Sequence, residues 1–565
     1  MTQVSVGHYL FSRLKQLGVE SVFGVPGDYE LVILDMIPEA GLTWRGNPNE
    51  LIAGYAADGY ARLAGVGAFV TTFGPGELSA YCCMAGQYAE YVPVVHIVGY
   101  PSTKAMNSKA IMHHSLGDGT FDMYHKMVEH ISVATTVLTS PDTAASEIDR
   151  VLNAMIYHSK PVYIGVPVDI GSQQISGGGL ARPLTTALPP NDAEKESAVT
   201  AEIIHLLGSR KSPVIVVDGG AVRNNFVQEG EALVKLLKIP YFGTAMSKGG
   251  VSEGIEGRFG GIYGGGASTK EVKDAVESAA LALFLGHYPS DFNTGEFTQD
   301  LTPGNLVDFQ RFTVKIAGVI HEVSGKYVLQ RLLKELAKLP QTTVSRAVSW
   351  DPYPSNNLPT PGKLTQDFLW AKLGSYFKSG DFVIAETGTS SYGIPASSLV
   401  DVENVRMYNQ TVFGSIGYAT GAALGTFVAG KESGQIKRNI LVTGEGSLQL
   451  TVQTFADLLR HELNATIFIL NNDGYTVERL IHGMEASYNK VPAWAYDKIC
   501  ATFAPGFPSR YFRVETGGDL VKLLTDADFN SNSCTQVVEL ILDKHDAPMS
   551  VKLATAAVEN FNKQN

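Results

Sequence analysis

The sequence predicts an α/β protein built from three consecutive open parallel-sheet domains. Short apolar runs, typical of buried parallel strands, alternate with helical patterns along most of the chain. Two stretches rich in proline or glycine, 181–197 and 346–361, interrupt this alternation and lack a hydrophobic period, as linkers do. The length of 565 residues is enough for three domains, each with its own core.

The first domain is expected over residues 1–180. An amphipathic helix at 9–17 precedes a strand at 21–25, which ends in the turn Pro26-Gly27-Asp28. An alanine-rich helix is expected at 51–63. Further strands are expected at 68–73, 92–100 and 161–167.

The second and third domains repeat the same alternation. The second, 198–345, has apolar runs at 214–217 and 281–285 that predict buried strands. The third, 362–552, precedes a C-terminal tail, 553–565, which is a candidate for a helix that closes over a site.

Composition excludes several functional classes. The net charge of −12 and the absence of a basic run argue against nucleic acid or an anionic membrane as a partner. The four cysteines, two of them adjacent, do not suggest a disulfide framework, which indicates a reducing compartment. The N-terminus does not read as a signal peptide, and no apolar run is long enough to cross a bilayer. We therefore expect a cytoplasmic protein.

Two polar clusters in the third domain predict a ligand site. The letters G-E-G-S at 444–447 follow the apolar run 440–442, and N-N-D-G at 471–474 follow the run 467–470. The spacing at 448–463 is helical, so the unit reads strand, turn, helix, strand, with both clusters at strand carboxyl ends. Glycines and a helix N-terminus suit a diphosphate, and carboxylate and amide oxygens suit Mg²⁺. The unit therefore predicts a Mg²⁺-diphosphate site.

These residues resemble the thiamine diphosphate motif, which is normally Gly-Asp-Gly, a spacer and Asn-Asn. Here the spacer from Ser447 to Leu470 has 24 residues, and Glu445 replaces the aspartate. The turn V-P-G-D, the helix Y-A-A-D-G-Y-A-R and the block G-P-G-E-L-S-A resemble the pyrimidine-binding domain of the same enzymes. With D-F-N-T-G at 291–295, the resemblance covers nearly the whole chain. It points to the thiamine diphosphate-dependent 2-oxo acid decarboxylases, in particular the fungal pyruvate decarboxylases, and implies thiamine diphosphate and Mg²⁺ as cofactors.

The resemblance assigns catalytic roles to residues that have ordinary explanations on their own. The helix dipole favours an acid at Glu50, Asp28 suits a turn, His113 and His114 suit a loop or a weak metal site, and Glu478 suits a solvated helix face. The resemblance implies instead that Glu50 binds the aminopyrimidine ring and activates the cofactor. It implies that the other four transfer protons, which calls for groups with pKa values near neutrality.

The resemblance also implies a set of cofactor and metal contacts. Its metal ligands are Glu445, Asn472 and the Gly474 carbonyl. The cofactor-binding residues are Glu50, Thr389, Gly414, Ser415, Ile416, Gly446, Ser447, Asn472, Gly474, Tyr475 and Thr476. Ile416 would wedge the cofactor into a bent shape, although core packing is an equally ordinary explanation for it.

The sequence departs from the family pattern at three positions. Glu445 keeps a hard anionic ligand with one more methylene, so activity is expected to survive. Gly220 stands where yeast-type enzymes carry a cysteine implicated in substrate activation, while Arg223 remains as a regulatory position. Phe413 replaces a tryptophan beside the small Ser391, which would enlarge the substrate pocket. The substrate contacts are expected from Asp28, His114, Ser391, Phe413 and Glu478.

The expected reaction is non-oxidative decarboxylation of a 2-oxo acid through a thiamine diphosphate ylide and enamine. Pyruvate, giving acetaldehyde and CO₂ as in alcoholic fermentation, is the first choice of substrate. The alternatives are an aromatic or branched-chain 2-oxo acid decarboxylase, a carboligating synthase of the acetohydroxyacid type, and a regulatory homologue without catalysis. The resemblance places Glu50 and the diphosphate site on different subunits, which implies a homodimer as the minimal active unit and a homotetramer as the assembly.

Overall fold

Three helix-covered sheets form the computed structural model, which describes residues 3–339 and 347–564, with side chains up to residue 556. Two of the sheets have six strands and one has seven, and parallel pairing dominates each of them. The predicted fold class is confirmed. The predicted boundary between the second domain and the second linker, at 345 and 346, lies outside the described residues.

The first sheet has the order β3-β2-β4-β5-β7-β6, and all its strand pairs are parallel. β1 pairs antiparallel with β8 beside it. The strands are β1 (Gln3–Ser5), β2 (Ser21–Gly24), β3 (Thr43–Gly46), β4 (Gly67–Thr72), β5 (Val94–Tyr100), β6 (Thr135–Val137), β7 (Val162–Pro167) and β8 (Gln174–Ser176). The helices are α1 (Val6–Gln16), α2 (Leu31–Leu34), α3 (Met36–Glu39), α4 (Glu50–Ala64), α5 (Pro75–Ala89), α6 (Thr103–Asn107), α7 (Met123–Val128), α8 (Pro141–His158) and α9 (Val168–Gly171).

The second sheet has the order β11-β10-β9-β12-β13-β14-β15, with antiparallel pairing only at its β13-β14-β15 edge. Its strands are β9 (Val214–Val217), β10 (Tyr241–Gly243), β11 (Phe259–Ile262), β12 (Ala282–Leu285), β13 (Leu306–Phe309), β14 (Val314–Ile316) and β15 (Val319–His321). Its helices are α10 (Ala193–Ser209), α11 (Gly219–Arg223), α12 (Val227–Leu237), α13 (Lys270–Glu277), α14 (Asp291–Thr294) and α15 (Gly325–Leu336). Because α10 begins at Ala193, it overlaps the predicted linker 181–197.

The third sheet has the order β17-β16-β18-β19-β21-β20 and is parallel throughout. Its strands are β16 (Asp381–Ala385), β17 (Arg406–Tyr408), β18 (Arg438–Gly444), β19 (Ala465–Asn471), β20 (Ser509–Val514) and β21 (Thr535–Ile541). Its helices are α16 (Gln366–Tyr376), α17 (Thr389–Gly393), α18 (Tyr418–Ser433), α19 (Glu445–Thr451), α20 (Thr454–Arg460), α21 (Thr476–Ile481), α22 (Ile499–Phe503), α23 (Gly517–Thr525), α24 (Ala527–Asn530) and α25 (Met549–Gln564).

The single helix expected at 448–463 is two helices, α19 and α20, separated by Val452 and Gln453. The threonines on either side of this break hydrogen-bond to backbone carbonyls: Thr451 Oγ1 donates to Gly417 and Thr454 Oγ1 donates to Thr451. The Thr454 bond is local and competes with a continuous helix, whereas the Thr451 bond joins the break to the residue before α18. Because α19 starts at Glu445, the G-E-G cluster lies at its first turn.

A close crossing of α4 and α18 joins the first and third domains. Glycine makes the approach feasible at two points. A Cβ at Gly425 would lie 1.7 Å from the Ala56 carbonyl oxygen, and one at Gly59 would lie 2.0 Å from the Ala422 carbonyl oxygen. The ring of Tyr55 also packs edge-on against that of Tyr418 at this crossing, with 5.3 Å between the ring centroids.

Among the described helices, none combines the length and the apolar character needed to cross a membrane.

Candidate active site

The three predicted metal ligands converge where β18 and β19 end. These strands are adjacent and parallel, and Gly444 at the end of one is paired with Leu470 near the end of the other. The buried carboxylate of Glu445 accepts hydrogen bonds from the backbone N–H of Asn472, at 3.2 Å, and of Gly474, at 2.7 Å. Burial raises the pKa of Glu445 to about 7. The longer side chain thus reaches the loop after β19.

The oxygen atoms of this cluster have the spacing of ligands around one small cation. The Asn472 Oδ1 position lies 2.9 Å from the Gly474 carbonyl oxygen and 3.1 Å from Glu445 Oε2. With the amide rotated, its nitrogen would donate to those same oxygens. In an octahedral Mg²⁺ site with bonds of about 2.1 Å, neighbouring ligand oxygens are roughly 3 Å apart. The donor set fits Mg²⁺ in type and in spacing.

Steric limits keep the loop after β19 in this shape. Gly474 has φ of +119°, and a Cβ there would lie 2.0 Å from the Asn489 carbonyl oxygen. A Cβ at Gly446 would lie 2.6 Å from the ring of Tyr475. Arg479 donates to the backbone carbonyl of Asn472 at 3.3 Å. Only glycine suits both close approaches, so the backbone packs directly against Asn489 and Tyr475 at these two positions.

The segment before α18 carries three of the predicted cofactor contacts: Gly414, Ser415 and Ile416. Ser415 Oγ lies 2.7 Å from the hydroxyl of Tyr55 on α4, and its backbone N–H donates to Gln410 Oε1 at 2.8 Å. The side chain of Ile416 is 39% exposed, so core packing does not account for it in the single chain. Its role beneath the cofactor stays a prediction.

Two buried residues that support this segment were missed from the sequence. Glu386, after β16, accepts hydrogen bonds from the N–H of Thr387 at 3.0 Å and of Ala419, in the first turn of α18, at 3.3 Å. Burial raises the pKa of Glu386 to about 8. Gln410, described above, is the second. The signal for Glu386 was an acid directly after an apolar strand, in A-E-T-G.

The predicted residues Thr389 and Ser391 lie on α17, which follows the same strand β16. Ser391 Oγ donates to the Gly388 carbonyl at 2.8 Å. Ser447 is buried in α19, next to Gly446. All three positions lie at the carboxyl edge of the third sheet, as the sequence predicted.

Asp28, His113 and His114 form one cluster at the carboxyl edge of the first sheet. His113 Nε2 lies 2.8 Å from Asp28 Oδ2, and His114 Nε2 lies 4.0 Å from Asp28 Oδ1. The ring of Tyr29 stacks on His113, with 4.8 Å between centroids. The three potential ligand atoms lie within 4.8 Å of one another, so the geometry suits either proton transfer or a weak metal site.

Glu30 lies buried next to this cluster, at the start of α2, and neither carboxyl oxygen has a hydrogen-bond partner in the described structure. Burial raises its pKa from an ordinary value of 4.5 to about 8. A Cβ at Gly99 would lie 2.6 Å from Glu30 Oε2, so the carboxyl is packed against β5. No motif in the sequence pointed to this residue.

Glu30→Gln is expected to become more stable relative to the wild type as the pH rises from 4.5 to 8. In this window the unfolded wild-type chain releases a proton that the folded protein retains, so rising pH destabilises the folded wild type, whereas glutamine does not ionise. The difference in unfolding free energy should grow by roughly 3 kcal/mol. Denaturant unfolding at several pH values measures it, with the exposed Glu39→Gln as control. A pH-independent difference would contradict the buried-acid assignment.

Glu50 is the first residue of α4, whose N-cap Asn49 accepts the N–H of Ile52 at 2.8 Å. A Cβ at Gly76 would lie 3.3 Å from Glu50 Oε1, so the carboxyl group lies against the first turn of α5. Burial raises the pKa of Glu50. The helix-dipole explanation and the predicted contact with the cofactor are both compatible with this position.

Glu478 lies on α21, which follows the loop that carries Asn472 and Gly474. It is exposed in the single chain, and partial desolvation by the surrounding protein raises its pKa. The C-terminal helix α25 lies against α21 and α17, and Ser550 Oγ donates to the Tyr392 carbonyl at 2.9 Å. The predicted tail helix therefore does lie beside the element that carries Glu478.

Arg223 connects the second domain to the segment that carries Phe413. Its Nη2 lies 2.9 Å from Glu90 Oε2, and Glu90 Oε1 accepts the N–H of Val412 at 2.7 Å. The side chain of Phe413 is 37% exposed and lies against α5, since a Cβ at Gly86 would be 3.1 Å from its ring. Gly220 is in close contact with Gly286. The regulatory role of Arg223 stays a prediction.

The structure brings together the residues of the predicted metal and diphosphate site on one sheet and a carboxylate-imidazole cluster on another, as a cofactor-dependent enzyme would need. Three family models match the chain: "Thiamine pyrophosphate enzyme, N-terminal TPP binding domain" at residues 4–132, the "central domain" at 200–323, and the "C-terminal TPP binding domain" at 388–538. Each match falls within one of the three sheet domains.

Curated relatives align with the chain from end to end. "Pyruvate decarboxylase isozyme 1" of Saccharomyces cerevisiae is 42% identical over 553 residues, which cover 98% of each protein. "Pyruvate decarboxylase" of Kluyveromyces lactis is 41% identical over 568 residues, which cover 100% of each protein. "Pyruvate decarboxylase" of Aspergillus fumigatus is 40% identical over 567 residues, which cover 99% of this chain and 98% of the relative. The chain belongs to the pyruvate decarboxylase family of thiamine pyrophosphate enzymes. The family predicted from the sequence is confirmed.

Proposed function

We propose that the protein is a carboxy-lyase that uses thiamine diphosphate and Mg²⁺ to convert pyruvate to acetaldehyde and CO₂. The observation that carries the proposal is the carboxylate-imidazole cluster, with Asp28 and His113 in hydrogen-bond contact at 2.8 Å. A protein that only binds the cofactor does not need such a proton-transfer group. The relatives that align end to end are named pyruvate decarboxylases, which supports pyruvate as the 2-oxo acid.

When bound, the cofactor supplies the electron sink for loss of CO₂. The chain contributes the proton transfers around it. With the cofactor bound, Glu50 would hydrogen-bond a nitrogen of its pyrimidine ring, and burial raises the pKa of this carboxyl group. Asp28, His113, His114 and Glu478 would supply the proton that replaces CO₂ and accept the hydroxyl proton as the aldehyde leaves.

The metal is assigned to Glu445, Asn472 Oδ1 and the Gly474 carbonyl. Support for this comes from the oxygen spacing given above and from the fact that the site is buried. Thr389, Gly414, Ser415, Ile416, Gly446, Ser447 and Tyr475 are assigned to the cofactor. Their positions after the strands of the third sheet support this assignment.

The active unit is assigned as a homodimer, and the full assembly as a homotetramer. Apolar side chains next to the cofactor segment are exposed in the single chain, among them Phe413, Ile416 and Leu450. Leu450 contacts this segment, because a Cβ at Gly417 would lie 2.9 Å from its Cβ. Exposed apolar side chains grouped around a functional segment favour an interface there. The four free cysteines in the described chain support a cytoplasmic location.

A substrate panel tests the proposed reaction. The protein, saturated with thiamine diphosphate and Mg²⁺, is assayed for aldehyde from pyruvate, phenylpyruvate and 2-oxoisovalerate, and for acetolactate from pyruvate. Pyruvate is expected to give the highest kcat/KM and acetaldehyde the main product. Preference for phenylpyruvate or 2-oxoisovalerate would favour the aromatic or branched-chain decarboxylase, and acetolactate would favour a carboligating synthase. No turnover with any substrate would favour the inactive homologue.

Phe413→Trp is expected to lower kcat/KM for phenylpyruvate relative to pyruvate by about tenfold, because an indole fills space that a phenyl group leaves to the substrate. The ratio of the two kcat/KM values measures the effect. Phe507→Trp, at a similarly exposed phenylalanine elsewhere in the third domain, is the control. An unchanged ratio would remove Phe413 from the substrate pocket.

A further inference from the structure

The hydroxyl of Thr476 lies between the side chain of Asn472, in the loop after β19, and a backbone carbonyl. Its Oγ1 is 2.7 Å from Asn472 Nδ2 and 3.2 Å from the carbonyl oxygen of Lys544, and the residue is only 2% exposed. A hydroxyl has a single hydrogen to donate, and a carbonyl oxygen has none, so it acts only as an acceptor. With that hydrogen on Lys544, the hydroxyl accepts a hydrogen bond from the Asn472 amide nitrogen.

The Asn472 amide has two orientations that hydrogen-bond to Thr476. With the nitrogen on Thr476, Oδ1 faces Glu445 and the Gly474 carbonyl, both of which are acceptors. With the amide rotated, its nitrogen would donate to the same oxygens, and its oxygen would need the Thr476 hydrogen at 2.7 Å. The first orientation suits a cation, and the second suits the loop without one.

We propose that Thr476 is a positioning residue that holds the Asn472 amide in its metal-binding orientation and thereby raises the affinity for Mg²⁺. The direct cofactor contact predicted for Thr476 from the sequence stays a prediction beside this role. The inference rests on the proposed metal site at Glu445, Asn472 and Gly474.

The Thr476 hydroxyl holds the Asn472 amide in place because rotation of the amide costs free energy while this hydroxyl is present. Rotation takes the donated hydrogen away from the Lys544 carbonyl, which is left without that partner. Without the hydroxyl this cost is absent. The amide nitrogen then bonds to Glu445 and Gly474, and a cation must break those bonds before it binds. Outer partners that orient a metal ligand typically change metal affinity by about 10–100-fold.

Thr476→Val is therefore expected to raise the Kd for Mg²⁺ about tenfold. The measurement is calorimetric titration of MgCl₂ into the full-length protein saturated with thiamine diphosphate. Thr476→Ser, which keeps the hydroxyl, should bind Mg²⁺ nearly as tightly as the wild type. Thr476→Ala is a second variant without the hydroxyl and should weaken binding in the same way as valine.

A second readout separates positioning from a general loss of stability. The rise in Tm on addition of Mg²⁺ should shrink in Thr476→Val, because the metal-free loop gains hydrogen bonds in this variant. A purely structural role would lower Tm equally with and without the metal. Thr200→Val, a buried threonine whose Oγ1 donates to the Glu196 carbonyl in the second domain, controls for loss of a buried hydroxyl and should leave the Kd unchanged.

Asn472→Ala separates failure of this inference from failure of the proposed metal site. If Asn472→Ala abolishes Mg²⁺ binding while both hydroxyl-free variants bind Mg²⁺ normally, the role of Thr476 is overturned and the site stands. If Asn472→Ala binds Mg²⁺ normally, the metal site and the inference are both overturned. Equal loss of affinity in Thr476→Ser and Thr476→Val would also overturn the inference.

Discussion

Glu50→Gln is expected to lower kcat by about 10²–10⁴-fold while the protein still binds thiamine diphosphate. Glutamine has nearly the same shape and can still form a hydrogen bond, but it cannot give up or accept the carboxyl proton. The partial burial of Glu50 raises its pKa, which favours the protonated form of the carboxyl group.

Exchange of the thiazolium C2 proton of the bound cofactor in D₂O measures this step directly, without any substrate. Exchange should slow in parallel with kcat in Glu50→Gln. The exposed Glu39→Gln serves as the control and should exchange at the wild-type rate. Near-normal exchange and turnover in Glu50→Gln would refute the activating role.

Glu478→Gln is expected to lower kcat by about 10²–10³-fold, because the step after loss of CO₂ needs a carboxylic acid that can transfer a proton. Desolvation raises the pKa of Glu478, which favours the protonated form. Steady-state kinetics with pyruvate measures the loss. Glu485→Gln, an exposed glutamate a few residues beyond α21, is the matched control.

The two glutamates should differ in the exchange experiment. Glu478 is assigned to a step after cofactor activation, so Glu478→Gln should keep fast C2 exchange while it loses turnover. Slow exchange in this variant would move Glu478 to the activation step, and normal turnover would remove it from the reaction. The pair of variants therefore tests the order of the two roles as well as their size.

Much of the fold could be predicted because parallel strands that are buried on both faces appear in the sequence as continuous apolar runs. The strand predicted at 214–217 has those same bounds in the structure, and the one at 467–470 lies within β19. The break between α19 and α20 was missed. One of the hydrogen bonds at this break joins the Thr451 side chain to the carbonyl of Gly417, which is distant in the sequence. Helical spacing alone carries no signal of such a bond.

The candidate site was predictable where a strand end marks it, as at Glu445 and Asn472. Residues that act through a partner distant in sequence were not predictable. Glu30 is notable only for its burial against β5, and Glu386 only for its bonds to α18. The orientation of the Asn472 amide depends on the carbonyl of Lys544, which lies on another loop. Such relations exist only in three dimensions.

The glycine-lined crossing of α4 and α18 has a consequence for the order in which the protein is made. The two helices lie several hundred residues apart in the chain, yet their backbones touch at Gly59 and Gly425. A ribosome completes α4 long before α18 emerges. The nascent first domain therefore carries an uncovered face of alanine, glycine and tyrosine, and the helix that begins with Glu50 gains its final support only when the third domain folds.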